Sequence, residues 1–278
     1  MTSIGKHIRL SRIFGTRNRR AVIIPMDDGL IDGAENGLRN PIKKVEEIVK
    51  GKPNALLGFK GLFKQVYTVI DNMPLIMNIT ASSNLCSHTK KNLVSSVEEG
   101  LIFGVSGIAA HINVSSRHEP EMLKMVGKIS RQCDKLGMPL MILAYPRSED
   151  EKGDNNYLEL KQNDIDKYAQ LVRHASRIGV ELGADIIKTQ YTGSIESFAT
   201  VVEACGSVPV LIAGGPQIEV KQILKSAYES VAAGCAGVCY GRNAFNNSNT
   251  TQFIRMLNEI VHNGLTVEEV LIRYKDYK

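Results

Sequence analysis

The sequence has 278 residues, of which 43% are apolar and 23% are charged, and its formal net charge is +5. This composition excludes an extended disordered chain, which would combine few apolar residues with a high net charge. The sequence contains no tryptophan and only 6% aromatic residues, so neither a base-stacking platform nor a nucleic-acid partner is expected. No apolar run approaches the roughly 18 residues of a membrane span, which disfavours a membrane partner.

The five cysteines are odd in number and include no Cys-x-x-Cys pair. The first 20 residues are basic and lack the apolar core of a signal peptide. These features predict a cytoplasmic protein with reduced thiols. Cys235 and Cys239 have no second Cys or His pair at ligand spacing, so no metal site is predicted.

Eight short apolar runs predict strands that helices bury on both faces. In chain order they are residues 21–25, 55–58, 75–78, 107–112, 140–144, 185–188, 210–213 and 237–240. Apolar residues recur three and four positions apart in the intervening stretches, as in residues 165–182 and 217–231, which is typical of helices.

The spacing of these runs predicts a (β/α)₈ TIM barrel, because eight strand–helix units need roughly 250 residues. The remaining residues predict terminal helices at 4–14, 250–263 and 266–274. No linker or composition shift divides the chain, so we expect one barrel domain over residues 1–278. The alternative is a doubly wound open sheet. It would need a Gly-rich turn after its first strand, where this chain has Asp27-Asp28-Gly29.

Lys188 ends the sixth predicted strand, and residues at the carboxyl ends of barrel strands face the active site. A buried ammonium is costly unless it is paired. Two interpretations remain open at this point. The lysine either reaches solvent or pairs with a carboxylate, or it is a Schiff-base nucleophile. The second interpretation predicts that the apolar strand end lowers its pKa from about 10.4 toward roughly 7.

Glycine-rich loops follow the seventh and eighth predicted strands, at Gly214-Gly215 and at Gly241-Arg242. Loops at these positions of a barrel frequently bind phosphate through backbone N–H groups, and Arg242 would add a charge-assisted bond. The alternative is that the glycines only permit tight turns and that Arg242 pairs with a surface acid.

Other polar side chains at the strand ends are candidates for proton transfer and substrate binding. Tyr145 and Asp27 could supply acid–base groups, or could be a rim aromatic and a helix N-cap. His111 either binds substrate hydroxyls or fills the barrel mouth. Arg147 is a further substrate-binding candidate. It begins a highly charged segment, 147–157, which is either a lid over the site or a solvated loop, and the loop is favoured.

Six motifs, in the same order along the chain, resemble those of the archaeal-type class I aldolases. They lie at residues 5–14, 24–29, 145–147, 184–193, 210–216 and 241–243. The resemblance implies a metal-independent and cofactor-free barrel enzyme in which Lys188 forms an imine, Tyr145 and Asp27 transfer protons, and the two glycine loops bind phosphate. It also implies a homo-oligomer, because the family forms rings and decamers.

Asp28 stands where the family usually has a histidine, and we expect it in the substrate site. Adjacent strand residues point to opposite faces, so only one of Asp27 and Asp28 is expected to face the pocket squarely. Archaeal fructose-bisphosphate aldolases carry a tryptophan two positions before the tyrosine, where this chain has Leu143.

The resemblance therefore favours the 2-amino-3,7-dideoxy-D-threo-hept-6-ulosonate synthase branch, with a phosphorylated ketose or dihydroxyacetone phosphate as donor and aspartate semialdehyde as acceptor. Three alternatives remain. They are a fructose-bisphosphate aldolase, a metal-dependent aldolase or barrel isomerase, and a non-catalytic phosphosugar-binding barrel. No set of His, Asp and Glu at metal-ligand spacing supports the second.

Overall fold

A computed structural model describes residues 3–15, 18–34, 36–150 and 153–277. Eight parallel strands form a closed barrel in which each strand pairs with its neighbours in the chain, and β8 pairs with β1. The strands are β1 Ala21–Pro25, β2 Ala55–Gly58, β3 Leu75–Asn78, β4 Gly107–Val114, β5 Leu140–Pro146, β6 Ile186–Gln190, β7 Val210–Ala213 and β8 Gly237–Cys239. The predicted TIM barrel and its eight strands are confirmed.

Helices surround the barrel and also flank it at both chain ends. They are α1 Ile4–Phe14, α2 Asp28–Ile31, α3 Pro41–Gly51, α4 Lys60–Val66, α5 Val97–Ile102, α6 Glu119–Leu136, α7 Leu158–Asn163, α8 Ile165–Glu181, α9 Ile195–Cys205, α10 Val220–Ala232, α11 Arg242–Phe245, α12 Thr250–Asn263 and α13 Val267–Arg273. Local sequence sets their ends. The Asn249 side chain accepts from the Gln252 N–H before α12, and Gly264 ends that helix with a φ of 73°. Among the described residues, no helix has both the length and the apolar character needed to cross a membrane.

Alternation along the strands decides which side chains enter the barrel. Met141, Leu143 and Tyr145 of β5 belong to one buried cluster with Ile186 of β6. Side chains two residues apart on a strand share a face, so Lys188 lies on the same interior side of β6 as Ile186. The side chains at the carboxyl ends of β5 and β6 therefore enter the barrel at its mouth.

The amino-terminal end of the barrel is closed by α1. Ile13 and Phe14 pack into the interior cluster. The Lys6 amine donates at 2.6 Å to Asp134 and lies 2.7 Å from a carboxylate oxygen of Asp185, just before β6. The same Asp185 oxygen accepts from the Leu140 N–H at 2.9 Å. This buried ion pair joins α1 to the bottom of the sheet.

Two short antiparallel ribbons rise from the carboxyl ends of the strands. One pairs Thr80–Ala81 with Asn92–Leu93, and the other pairs Ser148–Asp150 with Gly153–Asn155. The expectation of a plain solvated loop at 147–157 is therefore wrong for the described part, and residues 151 and 152 lie outside the described residues. Carboxylates of the second hairpin, those of Glu149 and Asp154, accept hydrogen bonds from neighbouring segments and hold it in place. Glu149, for example, accepts from the Ser116 hydroxyl at 2.9 Å.

Candidate active site

Lys188 is the third of the five residues of β6 and is only 6% exposed. Burial by itself lowers the pKa of its amine, but the neighbouring acidic groups, among them the carboxylates of Asp27 and Asp28, more than offset this and raise the pKa above the ordinary value of 10.5. The predicted lowering is thus wrong, because acidic groups surround an amine that the sequence placed in apolar surroundings. The resting amine is an ammonium and must pass a proton to a neighbouring base before it can attack a carbonyl.

Asp27 is held by an amide from a neighbouring strand. Its Oδ2 atom accepts a 2.8 Å hydrogen bond from Nδ2 of Asn78, the last residue of β3. Asp27 occupies the N-cap position of α2, yet its side chain makes no capping hydrogen bond. The N-cap interpretation therefore does not account for this carboxylate, which is only 7% exposed and aimed at the barrel mouth.

Both Asp27 and Asp28 lie at the site, whereas strand alternation predicted that only one of them would face it squarely. That expectation fails because β1 ends at Pro25 and Asp27 already has helical backbone angles, φ −87° and ψ −5°. Burial and the neighbouring Asp27 raise the pKa of Asp28 from 3.8 to about 6, against the lowering effect of Arg242 and Lys188. Asp28 consequently exchanges a proton near neutral pH, beside the ammonium of Lys188.

Tyr145 and His111 meet edge to face at the ends of β5 and β4. Their ring centroids lie 4.9 Å apart and the rings are perpendicular. Burial raises the pKa of Tyr145 to about 12, so its hydroxyl keeps its proton at neutral pH. Burial also holds the pKa of His111 well below 6.5. Among the described residues, Nε2 of His111 is buried without a hydrogen-bond partner, which favours a ligand-binding role over simple filling of the mouth.

The two glycine loops are joined by Asn243. Its Nδ2 atom donates to the carbonyl oxygens of Gly214 at 3.1 Å and Pro216 at 3.0 Å. Gly215 has a φ of 65°, which favours glycine, and a Cβ on Gly241 would lie 2.9 Å from the Pro25 oxygen. The glycines therefore allow the backbone to approach closely at the mouth.

Arg242 points from the second loop toward the first strand, and its Nε atom lies 3.5 Å from an Asp28 oxygen. Arg242 therefore pairs with an acid, but that acid belongs to the site and is not on the outer surface. Phosphate binding by Arg242 stays a prediction. Arg147 follows β5, and its Nε atom donates to Asn156 at 2.6 Å.

Sequence reasoning did not single out several residues that the fold brings to this mouth. The positions of Asn78 and Asn243 indicate a place at the mouth, since both stand at or just after the ends of predicted strands. No such position marks Lys91 and His88, because they lie in an irregular stretch between β3 and β4. Within the described ranges, no group of three or more His, Cys, Asp or Glu side chains is placed to hold a metal ion.

Comparison with known proteins places this geometry among aldolases. The family model described as DeoC/LacD family aldolase matches residues 21–247. The chain is 37% identical over 270 residues to 2-amino-3,7-dideoxy-D-threo-hept-6-ulosonate synthase 1 of Archaeoglobus fulgidus, covering 96% of this chain and 95% of that protein. It is 32% identical over 275 residues to the corresponding synthase of Halobacterium salinarum, covering 98% and 97%.

A protein of Streptomyces griseus, 2-amino-4,5-dihydroxy-6-oxo-7-(phosphonooxy)heptanoate synthase, is 29% identical over 264 residues, which cover 94% of this chain and 92% of that protein. Among solved structures, an archaeal fructose-1,6-bisphosphate aldolase has its catalytic lysine covalently bound to the carbinolamine intermediate of the substrate. It superimposes with a TM-score of 0.80 at 26% identity, covering 92% of this chain and 99% of that one.

Proposed function

Because the chain belongs to the DeoC/LacD family of aldolases, we propose that it joins a phosphorylated ketone donor to an aldehyde through an imine on Lys188. The observation that carries this proposal is the buried amine of Lys188 among Asp27, Asp28 and Tyr145 at the carboxyl end of the barrel. Imine chemistry needs one amine and positioned proton donors and acceptors, and these four side chains supply both.

The first stage forms the imine. The ammonium of Lys188 passes a proton to a neighbouring carboxylate, and Asp28 suits this step because its pKa is about 6. The free amine then attacks the donor ketone to give a carbinolamine. Loss of the carbinolamine hydroxyl as water requires a proton, for which Tyr145 is the buried donor.

The second stage forms the carbon–carbon bond. Asp27, fixed by Asn78, removes a proton from the carbon next to the iminium and leaves an enamine. Tyr145 first regains the proton that Asp28 took from Lys188. The enamine carbon then attacks the aldehyde carbonyl, and the new alkoxide takes the proton of Tyr145, which Asp27 replaces with the proton it removed from the donor carbon. Water then hydrolyses the product iminium and frees Lys188. With a ketose donor, the same groups run the cleavage in reverse before the addition.

The donor phosphate is assigned to the loops after β7 and β8. Gly214, Gly215 and Gly241 let backbone approach the ligand, and Arg242 supplies a positive charge beside them. The adjacent carboxyl of Asp28 is compatible with this role only because Arg242 pairs with it. This assignment puts the reacting carbonyl of the donor between those loops and β6.

The relatives' names identify the products that this reaction would make. Both heptulosonate and heptanoate synthases are named for seven-carbon 2-amino acids, and the latter product carries its phosphate at carbon 7. Aspartate semialdehyde supplies the amino acid end of such a product, and a phosphorylated ketose or dihydroxyacetone phosphate supplies the rest. We therefore propose aspartate semialdehyde as the acceptor.

Fructose-bisphosphate aldolase activity is the second candidate, because archaeal enzymes of that name share the fold at 26% and 28% identity. A matrix of donors and acceptors separates the two. Dihydroxyacetone phosphate or a deoxyketohexose phosphate is combined with aspartate semialdehyde or glyceraldehyde 3-phosphate, and products are identified by mass spectrometry. The proposal expects a seven-carbon amino acid. Turnover confined to fructose 1,6-bisphosphate would overturn it.

We also propose that the chain works as one barrel domain, in a cytoplasmic homo-oligomer, without a metal or cofactor. The covalent lysine intermediate in the archaeal neighbour supports the last point, since the electron sink is then the iminium itself. Sedimentation of the purified protein tests the oligomer, and turnover after exhaustive chelation tests the independence from metal.

A further inference from the structure

A second lysine, Lys91, is buried at the barrel mouth and has no part in the reaction scheme. It is 3% exposed, and it lies just before the ribbon strand Asn92–Leu93. Its amine donates to the Ser82 hydroxyl at 2.7 Å and lies 2.8 Å from Nε2 of His88. Among the described residues, no carboxylate forms an ion pair with this amine within 4 Å. A buried ammonium with only neutral partners is costly, so it calls for an anion.

Charges of both signs act on Lys91. Burial is the largest effect and, with the charge of Arg147, lowers the pKa of Lys91 to about 7. Three carboxylates, Asp27, Asp154 and Asp32, act in the opposite direction, but none of them forms an ion pair with the amine among the described residues. Asp154 is already engaged, since its oxygens accept from the Ser87 hydroxyl at 3.3 Å and from the His88 N–H at 3.0 Å.

An unpartnered nitrogen belongs to the same group. Nε2 of His111 is buried without a partner among the described residues, and Lys91, Arg147 and His88 all lower the pKa of that histidine. A ligand acceptor atom would satisfy this nitrogen. Buried polar groups without partners are rare in proteins, which makes this one a marker of a binding position.

The barrel order puts this group opposite the glycine loops. Lys91 lies between β3 and β4 and Arg147 follows β5, whereas Gly214 and Gly241 follow β7 and β8. Lys188 on β6 stands between the two groups in the strand order. A substrate that spans the mouth would therefore have one end at the loops and the other at Lys91.

We propose that Lys91 and Arg147 form a subsite for the carboxylate of the acceptor aldehyde, with His88 and His111 beside it. This inference rests on the proposed function, which leaves the acceptor end of the product without a binding group. The chemistry that the subsite recognises is a compact anion, and an aldehyde can present either a carboxylate or a phosphate. The experiment distinguishes these two sources.

The test compares Lys91→Met with the unsubstituted enzyme on three acceptors: aspartate semialdehyde, 3-aminopropanal, which lacks only the carboxylate, and glyceraldehyde 3-phosphate. We expect the KM for aspartate semialdehyde to rise about ten- to a hundred-fold, because the variant loses one or two charged hydrogen bonds to the carboxylate. The KM for 3-aminopropanal should change less than two-fold. Lys91→Arg should restore most of the affinity. Lys90→Met is the matched control, because the neighbouring Lys90 pairs with Glu121 at 2.6 Å on the surface.

Equal changes for aspartate semialdehyde and 3-aminopropanal would overturn the proposal, as would a KM increase confined to glyceraldehyde 3-phosphate. If Lys91→Met does not fold, Lys91→Gln and Lys91→Arg decide by the same comparison. Borohydride trapping of the donor on Lys188 should be unchanged in Lys91→Met. Failure to trap the donor in the unsubstituted enzyme would instead count against the proposed function, so the two failures are distinguishable.

Discussion

The Asn78 amide donates a 2.8 Å hydrogen bond to the Asp27 carboxylate and so links the ends of β3 and β1. Oδ1 of Asn78 in turn accepts from the Thr80 N–H at 3.2 Å, which fixes the amide. The orientation of the carboxylate is therefore set by a neighbour that does not itself exchange protons. Asn78 is a positioning residue in the proposed mechanism.

Asn78→Ala should lower kcat by about ten- to a hundred-fold, because a misplaced catalytic group costs up to about 10² in rate. The KM for the donor should change little, since the phosphate loops are untouched. Steady-state kinetics and the rate of imine trapping measure these effects. Asn92→Ala, on an exposed ribbon residue, is the control. A kcat equal to that of the unsubstituted enzyme would show that Asp27 needs no such support.

Asp28→Asn should stabilise the fold at pH 8 but not at pH 4. Burial and Asp27 raise the pKa of Asp28 from 3.8 to about 6, so the folded state holds this proton more tightly than the unfolded state. Folding stability is therefore lost as the pH rises from about 4 to 6. The Asn side chain cannot ionise and removes that loss, which is worth about 3 kcal/mol. Urea unfolding at the two pH values measures the difference. The same change in free energy at both would refute the assignment.

Lys6→Met should destabilise the protein by about 3 kcal/mol, because it leaves the carboxylate of Asp185 buried without its partner. Burial lowers the pKa of Lys6, but the hydrogen bonds that its ammonium donates to Asp134 and Asp185 raise the pKa to a net value above 10.5. The ion pair of Lys6 therefore stabilises the fold fully at neutral pH. This stabilisation is lost only as the pH rises through the raised pKa of Lys6. Denaturant unfolding tests this, with the exposed Lys128→Met as control. An unchanged midpoint would mean that the ion pair contributes nothing.

Asn243→Ala should raise the KM for the donor about tenfold and leave the KM for the acceptor nearly unchanged. The substitution removes the hydrogen bonds to Gly214 and Pro216 that hold the two glycine loops together. Loss of that support loosens the proposed phosphate site without touching Lys188 or Tyr145. Kinetics with each substrate varied in turn provide the check. Equal effects on both KM values would place the phosphate elsewhere.

Much of the fold could be predicted from the sequence, because each barrel strand is a short apolar run that helices bury on both faces. Four strands, such as β1 and β7, have the predicted bounds, and β4 and β5 extend two residues farther through pairs such as Asn113 with Tyr145. Tyr145 stands next to the end of β5 as predicted, whereas β6 continues two residues beyond Lys188, to Gln190.

The charge state of the site could not be predicted in this way. The raised pKa of Lys188 depends on Asp27 and Asp28, which follow β1 and lie far from Lys188 in the chain. Lys91 was missed for a related reason: it lies in an irregular stretch where no periodic pattern marks burial. Strand-based reasoning also failed at Asp28, since the backbone turns helical directly after β1.

The central claim is that Lys188 is the amine that binds the donor. Incubation with dihydroxyacetone phosphate and borohydride, followed by peptide mass spectrometry, tests it most directly, with Lys188→Met as the control. We expect one reduced adduct, on Lys188, and none in the variant. An adduct on Lys91, or turnover with no adduct at all, would contradict it.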